Sequence, residues 1–290
     1  MPGGMDWGCM EFSVQGGHKI TLVMHTIKKL FRNIFFASCV ALDKFVPSRG
    51  VPILLYHSLD ESGFPISTTP KNFARQMGYL AKRGWFTITL DELLEAMRKG
   101  MMPKKRFTIT FDDGFRNVLT EALPVLATFG FTATVFIATE YVGKTNSFVT
   151  SHMPGLPMLT WDDAKILKNA GWQIESHGHT HTNLPQLDMP KVYWELQISR
   201  DWLEKHAGVR AKHFCYPRGK HTPEVVRAVC DAEYKSACSL RVGLAQISSN
   251  PWLLERLPIN DRVTPLHFRA LLTEPYSWFA AARRFLLGKW

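Results

Sequence analysis

Paired cysteines and long apolar runs are the features that this 290-residue sequence lacks. Its five cysteines are scattered and form no CxxC pair, which argues against a thiolate zinc site, a redox motif or a disulfide framework. No segment reaches the roughly 20 apolar residues that a membrane-spanning helix needs. Internal repeats and low-complexity tracts are also missing, so we expect a globular chain.

Positive charge is present in excess, because lysine and arginine outnumber aspartate and glutamate by 35 to 25. Such an excess suits nucleic acid, an anionic membrane surface or an anionic substrate, and it does not choose among them. No nucleic-acid-binding motif accompanies the charge, which is spread along the chain, so no nucleic-acid partner is expected.

A short apolar run at residues 34–42 follows basic residues and resembles the core of a signal peptide. Phe36 fits a lipoprotein cleavage site poorly, little apolar sequence precedes it, and the leader before the run is long unless translation starts at Met24. We therefore expect a location in the cytoplasm or at the membrane periphery rather than secretion.

The pattern of apolar and polar residues divides the chain into three parts. Residues 1–49 are expected to be a disordered tail (1–17) and a basic amphipathic helix (20–46), ended by Pro47 and Gly50. Residues 50–272 alternate between short apolar strands and amphipathic helices. Such alternation predicts parallel strands with helical crossovers, and seven or eight units indicate a closed or partly closed barrel. Residues 273–290 form a basic, aromatic amphipathic segment.

The individual elements follow from apolar periodicity and from capping residues. Strands are predicted at residues 53–56, 87–90, 107–111, 133–137, 172–175, 213–216, 234–237 and 254–257. Helices are predicted at residues 70–82, 91–98, 118–129, 161–170, 189–207 and 222–232. Asp91 is expected to cap the second of these helices.

Side chains that can carry chemistry fall just past the ends of the predicted strands. They are His57, Asp112, Asp113, His177 and Pro217. In a parallel barrel the carboxyl ends of the strands converge on one face, where the active site lies. The sequence therefore predicts one site built from distant parts of the chain.

Two adjacent carboxylates, Asp112 and Asp113, follow an apolar strand and precede Gly114. Side chains alternate along a strand, so one carboxylate can bind a metal while its neighbour faces a water. An Asp-Gly pair is also typical of a turn, and this alternative stays open for the segment taken alone.

Three histidines, His177, His179 and His181, follow another predicted strand. His177 and His181 are spaced by one helical turn and could also reach one metal from a loop, whereas His179 would project elsewhere. Imidazole and carboxylate ligands together suit zinc, iron, cobalt or nickel. A solvated polar loop is the alternative.

A third segment, residues 214–219, ends a predicted strand in proline and glycine. A strand that ends this way exposes backbone N–H groups at the barrel rim, and such donors can stabilise an oxyanion. A plain exit from strand to loop is the alternative.

Together these segments resemble the motifs of the polysaccharide deacetylases, the metal-dependent carbohydrate N-deacetylases that include chitin and peptidoglycan deacetylases. Residues 110–114 (Thr-Phe-Asp-Asp-Gly) resemble the first motif and residues 177–181 the second, His-x-x-x-His. Residues 214–219 resemble the third motif, and residues 51–58 are similar to the opening strand of one large branch. The likeness runs from about residue 51 to about residue 272.

The resemblance implies a distorted (β/α) barrel of about seven strands, a single catalytic domain with one divalent metal ion. Zinc is the first expectation, with cobalt, nickel or iron as alternatives. By position, the metal ligands would be Asp113, His177 and His181. Asp112 would be the general base.

The third motif implies substrate-binding residues, namely Tyr216, Pro217 and Arg218. The backbone N–H of Arg218 would donate to the oxyanion.

The sequence also departs from the family pattern. Cys215 stands where many members have an arginine that orients the catalytic aspartate, and neither the fourth nor the fifth motif is present. The resemblance therefore does not identify the general acid. His57, on the predicted rim, is the candidate for that role, with a hydrogen-bonding residue behind the site as the alternative.

The expected function is removal of N-acetyl groups from amino sugars of a polysaccharide, a glycolipid or another lipid-linked glycan. A metal-dependent amidohydrolase of non-sugar amides and a catalytically silent carbohydrate-binding relative are the alternatives. The two basic amphipathic ends favour peripheral association with an anionic membrane surface, and packing of both on the barrel is the competing interpretation.

Overall fold

The computed structural model describes residues 17–47, 49–148 and 155–287. The predicted disordered tail lies outside these residues except for Gly17, which begins the first helix. The strands are β1 (Gly50–Val51), β2 (Ile53–Tyr56), β3 (Phe86–Thr87), β4 (Arg106–Phe111), β5 (Thr134–Ile137), β6 (Gln173–Ser176), β7 (His213–Cys215), β8 (Ser236–Val242), β9 (Ala245–Gln246) and β10 (Leu254–Pro258). The α-helices are α1 (Gly17–Leu42), α2 (Pro70–Lys82), α3 (Leu90–Arg98), α4 (Leu123–Thr128), α5 (Trp161–Asn169), α6 (Met189–Ala207), α7 (Pro223–Asp231), α8 (Pro265–Leu271) and α9 (Glu274–Leu286).

Within the described residues, seven parallel strands close into a barrel in the order β2, β4, β5, β6, β7, β8, β10 and back to β2. The short β3 is added outside the ring, beside β4. Strands β1 and β9 form a separate antiparallel pair. The expected distorted (β/α) barrel of about seven strands is thus confirmed.

Helix α2 shows how local sequence builds the outer layer of the barrel. The hydroxyl of Thr69 accepts a hydrogen bond from the N–H of Asn72, and Pro70 occupies the first helical position. Its buried side chains recur at helical spacing, as in Phe73, Met77 and Leu80, and they pack into the main core. This helix has the bounds that periodicity predicts.

Two predicted elements differ from the observed ones, each for a local chemical reason. Thr89, not Asp91, caps α3, because its hydroxyl and the Glu92 carboxylate form a reciprocal capping box. The helix therefore starts at Leu90 and cuts short the strand predicted at residues 87–90. The helix predicted at residues 118–129 is divided into a π turn, Val118–Ala122, and α4. Pro124 has no N–H to donate to the preceding turn, which breaks the regular ladder there.

Strand β8 is longer than the predicted strand at residues 234–237, and it starts later, at Ser236. Helix α1 ends at Leu42, four residues earlier than predicted, and a 3₁₀ turn at Asp43–Phe45 follows it. Phe36 of α1 stacks on His267 of α8 with ring centroids 4.2 Å apart. The proposed limits of the three parts of the chain stay a prediction.

Candidate active site

The residues expected at the barrel mouth all follow the carboxyl ends of barrel strands. His57 comes directly after β2, Asp112 directly after β4 and His177 directly after β6. Pro217 follows β7 by one residue. Because these strands are parallel, their ends lie on the same face of the barrel, and the structure brings residues more than a hundred positions apart to one rim.

Three of the predicted residues form one compact cluster. The Oδ1 atom of Asp113 lies 3.2 Å from Nε2 of His177 and 3.2 Å from Nε2 of His181. All three side chains are buried, and their potential ligand atoms lie within 4.8 Å of one another. Positive φ angles at Asp113 and His181 turn the backbone so that the two histidines reach the carboxylate from a loop, not from a helix.

The hydrogen bonding of His177 prepares one ring nitrogen to bind a cation. Its Nδ1 lies 2.8 Å from the carbonyl oxygen of Cys215, and a carbonyl can only accept. Nδ1 therefore carries a proton, and Nε2, the nitrogen that faces Asp113, is the one that can bind a cation once it has lost its proton. A buried carboxylate and two imidazoles converging in this way fit one divalent cation.

The charge of Asp113 is supported by its surroundings. Burial by itself would raise the pKa of this carboxyl, but the neighbouring imidazoles of His181 and His177 outweigh burial and hold the pKa well below its usual range. Asp113 is therefore an anion at neutral pH, as a ligand of a cation must be.

Asp112 lies next to this cluster in the sequence but has a different partner. Its two carboxylate oxygens accept hydrogen bonds of 2.7 Å from Nη1 and Nη2 of Arg256, which is fully buried on β10. Burial would raise the pKa of Asp112, but the charge and hydrogen bonds of Arg256 outweigh it, so the pKa lies below the ordinary value. The pair holds an ionised carboxylate in one orientation beside the cluster.

Cys215 completes the surroundings of Asp112. Its Sγ lies 3.2 Å from Oδ2 of Asp112, and Nη2 of Arg256 lies 3.1 Å from the same sulfur. Burial raises the pKa of this thiol to about 11, so it stays protonated at neutral pH. Asp112, His177 and Cys215 also lie within ligand distance of one another. A protonated thiol and a carboxylate paired with arginine are poor ligands, so the group containing Asp113 is the better metal site.

His57 is placed at the mouth as predicted. It is half-buried and follows β2 at the same rim as both carboxylates, where its positive charge, when present, would lower the pKa of Asp112 and Asp113. Of the third motif, residues 214–219, only part is exposed to solvent. Arg218 has a positive φ of 57° in a tight 3₁₀ turn after Pro217, and its Nη2 donates to the carbonyl of Phe148.

Tyr216 differs from the expectation of a substrate-binding side chain. It is completely buried, and its hydroxyl donates a hydrogen bond of 3.0 Å to the carbonyl of Trp252. Pro217 is also buried. The strand alternation that places Cys215 toward Asp112 turns the next side chain, Tyr216, away from the barrel interior. Of the three residues, Arg218 alone retains an exposed side chain.

The histidine loop is held by a residue that the sequence did not point to. Glu195 of α6 is buried, and its carboxylate accepts hydrogen bonds from the N–H groups of His179 and Thr180 and from the Thr180 hydroxyl. His179 itself points away from the cluster, as predicted, and its Nδ1 lies 2.9 Å from the hydroxyl of Thr139. Glu195 therefore orders the loop between the two candidate ligands.

Arg256 and Glu195 share one feature that could have drawn attention to them. Each is a charged residue at a position where its element places apolar side chains, and such residues are rarely buried without a partner. Arg256 falls between the buried Leu254 and Leu257, and Glu195 lies beside the buried Leu196. Neither position in the sequence identifies the partner of the buried charged side chain.

Comparison with known proteins points to one family. The family model that matches, described as polysaccharide deacetylase, covers residues 99–237. The Bacillus subtilis (strain 168) protein YxkH, provisionally named a polysaccharide deacetylase, is 26% identical over 223 residues, which cover 77% of this chain and 76% of that protein. The poly-beta-1,6-N-acetyl-D-glucosamine N-deacetylase of Staphylococcus aureus (strain MRSA252) is 27% identical over 204 residues, or 67% of this chain and 68% of the relative.

Solved structures show the same barrel. The Streptococcus pyogenes deacetylase PplD, in complex with acetate, matches with a TM-score of 0.69 and 21% identity, covering 78% of this chain and 99% of its own. IcaB from Ammonifex degensii matches with a TM-score of 0.68 and 21% identity, covering 78% and 98%. At this identity the two structures support the fold alone. Residues 99–237 thus match the polysaccharide deacetylase family, and both of these curated relatives carry deacetylase names.

Proposed function

We propose that this protein removes N-acetyl groups from amino sugars of a polysaccharide, with N-acetylglucosamine polymers as the first class to test. The observation that carries the proposal is the meeting of Asp113, His177 and His181 beside the ionised Asp112. The likeness to a poly-beta-1,6-N-acetyl-D-glucosamine N-deacetylase supports the choice of polymer.

The cluster of Asp113, His177 and His181 is proposed to hold one divalent cation, with zinc as the first candidate. Such an ion, when bound, supplies a Lewis acid that polarises the acetamide carbonyl and makes a water molecule more acidic. His177 contributes its free Nε2 because the Cys215 carbonyl holds the proton on Nδ1. The ligand set and the burial support this assignment.

Asp112 is proposed to be the general base. It is an anion held by Arg256 in a fixed orientation, and it is adjacent in sequence to the candidate ligand Asp113. A fixed carboxylate that is not itself a ligand can accept the proton of the attacking water. The thiol of Cys215, at 3.2 Å, donates to the same carboxylate and leaves its charge unchanged.

The remaining roles are proposed for residues of the rim. The backbone N–H of Arg218 donates to the oxyanion that forms when water attacks the carbonyl carbon. His57, near both carboxylates, donates a proton to the leaving nitrogen as the C–N bond breaks, so that acetate and a free amine result. This proposal places the general acid directly after β2. Strand β2 pairs with β10, the strand at which the missing fifth motif would be expected.

The decisive experiment measures acetate release from chitin, peptidoglycan and β-1,6-linked N-acetylglucosamine fragments. Asp112→Asn should reduce turnover by about 10²-fold or more, the range typical of a general base, while metal content stays unchanged. Normal turnover in this variant would refute the role of Asp112.

The same screen separates the alternatives. Hydrolysis of simple non-sugar amides without acetate release from any glycan would favour a general amidohydrolase. Binding of glycan fragments with no turnover and no retained metal would favour a catalytically silent carbohydrate-binding protein.

The location is also a proposal. We infer that the protein is peripheral to a membrane, where a lipid-linked glycan or a nascent polysaccharide would be its substrate. The two basic amphipathic helices at the ends of the chain, α1 and α9, support this location.

A further inference from the structure

Helix α1 presents an apolar face away from the barrel. Ile27, Phe31 and Ile34 follow one another at helical spacing, and they are 45%, 67% and 53% exposed. The opposite side of the same helix is buried at Phe36 and Cys39. A helix that covers a barrel with one side normally exposes polar residues on the other, so a second apolar face requires an explanation.

Helix α9 adds a second apolar surface to the first. Its outward side carries Trp278, Phe285 and Leu286, which are 49%, 65% and 81% exposed. The two helices touch where the rings of Phe35 and Phe279 lie 4.6 Å apart. Phe35 lies one helical turn after Phe31, so this contact connects the outer surfaces of both helices. We call the exposed apolar residues of α1 and α9 the terminal-helix face.

The exposed charged side chains of α1 and α9 have one sign. Exposed basic residues lie along both helices, namely Lys28, Lys29, Arg32 and Arg283. Within the described residues of α1 and α9 the one acidic side chain is Glu274. Glu274 is buried and accepts hydrogen bonds from the backbone N–H groups of Arg49 and Gly50. The charge that reaches solvent along these helices is therefore positive.

The N-terminal half of α1 extends toward the catalytic side of the barrel. Asp43, just after the helix, accepts a hydrogen bond from the N–H of Glu274, whereas Phe36 stacks on His267 near the start of α8. Helix α8 begins in the connection that follows β10, at the carboxyl ends of the strands. Residues of α1 before Arg32 therefore point to the side on which the candidate active site opens.

We propose that the terminal-helix face is a docking surface for the headgroup region of an anionic lipid bilayer. Apolar side chains on one face flanked by lysine and arginine are what an interfacial helix needs, since the rings enter the acyl boundary and the cations meet lipid phosphate. Within the described residues, no helix is long and apolar enough to cross a bilayer. The proposed docking is peripheral.

This inference rests on the peripheral location proposed above and is independent of the proposed chemistry. The occupant is a lipid surface rather than a second copy of the chain because the solvent-facing charge of both helices is positive. Two such faces brought together would repel one another, whereas anionic lipid would neutralise them.

The test is flotation of the full chain with vesicles of phosphatidylcholine, with and without phosphatidylglycerol. The wild type should float with the anionic vesicles, and binding should weaken as salt is raised. Phe31→Ser with Ile34→Ser, and separately Trp278→Ser, should each reduce the affinity for anionic vesicles by about tenfold or more, because each change removes apolar surface that the bilayer would bury. Lys29→Glu should weaken binding by at least about fivefold.

Matched controls are exposed apolar residues elsewhere on the barrel. Phe86→Ser and Ile166→Ser remove side chains that are 56% and 50% exposed, and both should leave vesicle binding unchanged. Acetate release from a soluble oligomer should be the same in all these variants, because none of the residues touches the site. A wild type that floats with anionic vesicles but releases no acetate would therefore contradict the proposed chemistry and leave the docking surface standing.

Three outcomes would overturn the docking surface. The first is no flotation with anionic vesicles, and the second is equal binding by the Phe31→Ser, Ile34→Ser variant and the Ile166→Ser control. The third is a stable dimer in light scattering that Phe31→Ser abolishes, since that face would then be covered by a second copy.

Discussion

The guanidinium of Arg256 and the carboxylate of Asp112 form a bidentate pair, with two hydrogen bonds of 2.7 Å, in the interior of the barrel. The two residues are 144 positions apart in the chain. Nε of Arg256 donates to the carbonyl of Ser239, which fixes the plane of the guanidinium. The arginine missing at position 215 thus has a counterpart on β10, and the thiol of Cys215 lies against both partners.

Arg256→Met should destabilise the protein by about 3–5 kcal/mol, because it leaves the Asp112 carboxylate buried without its counter-charge. Urea unfolding measures this loss directly. Arg256→Lys keeps the charge but cannot form the bidentate pair, so it should fold and lose turnover more than substrate affinity. Arg283→Lys, an exposed change on α9, is the control, and an equal effect there would contradict the interpretation.

Loss of a candidate metal ligand should remove the cation. His181→Ala takes away one of the two imidazoles that face Asp113, so the purified variant should retain almost no zinc after dialysis and should lose acetate release. Elemental analysis gives the metal content. His179→Ala, two positions earlier on the same loop, should retain the metal, since its ring points to Thr139. A metal-free His179→Ala variant with a metal-loaded His181→Ala variant would exclude this ligand set.

Glu195 should matter for the loop between the ligands. Glu195→Ala orphans the buried N–H groups of His179 and Thr180, at a cost of about 1–3 kcal/mol for each unsatisfied group. We expect a lower melting temperature and weaker metal retention. Glu204→Ala, on the exposed side of the same helix, should change neither, and thermal unfolding with and without added zinc distinguishes the two variants.

Acid should loosen the contact between α1 and α8. Burial, together with the charge of Arg32, lowers the pKa of His267 to about 4 from an ordinary value of about 6.5. Because the folded state disfavours the proton, this stabilisation is complete above pH 6.5 and is lost as the pH falls toward 4. The shift corresponds to about 3 kcal/mol.

The free energy of unfolding of wild type and His267→Phe, measured between pH 4 and 7, tests this expectation. The phenylalanine variant keeps the ring stacked on Phe36 but has no proton to gain. Its stability should vary less with pH than that of the wild type over this range. Parallel pH profiles for the two proteins would contradict the role of His267.

Much of the fold followed from local chemistry. Periodicity and caps define α2 and α6 with the bounds observed, and the alternation of strands with helices predicts a parallel barrel. Errors arose where two local signals compete. Thr89 and Asp91 can both cap a helix, and the reciprocal bond with Glu92 decides between them. Pro124 divides a continuous amphipathic pattern that periodicity alone treats as one helix.

The candidate site was likewise predictable from the sequence in part. Asp112, Asp113, His177 and His181 were evident because short motifs at strand ends keep reactive side chains close together in sequence. The buried position of Tyr216 was not evident, because the direction of its side chain depends on the pleat of β7 inside a closed sheet.

The sequence by itself determined most of the barrel strands and helices, and it placed the reactive side chains after the carboxyl ends of strands, because spacing and capping act over a few residues. Only the tertiary structure decided that Arg256 meets Asp112, since barrel closure and the irregular register between β8 and β10 set where that strand points its side chains. It also decided that the apolar side of α1 with Ile27, Phe31 and Ile34 faces outward, because the burial of a helix face depends on which other segments pack against it.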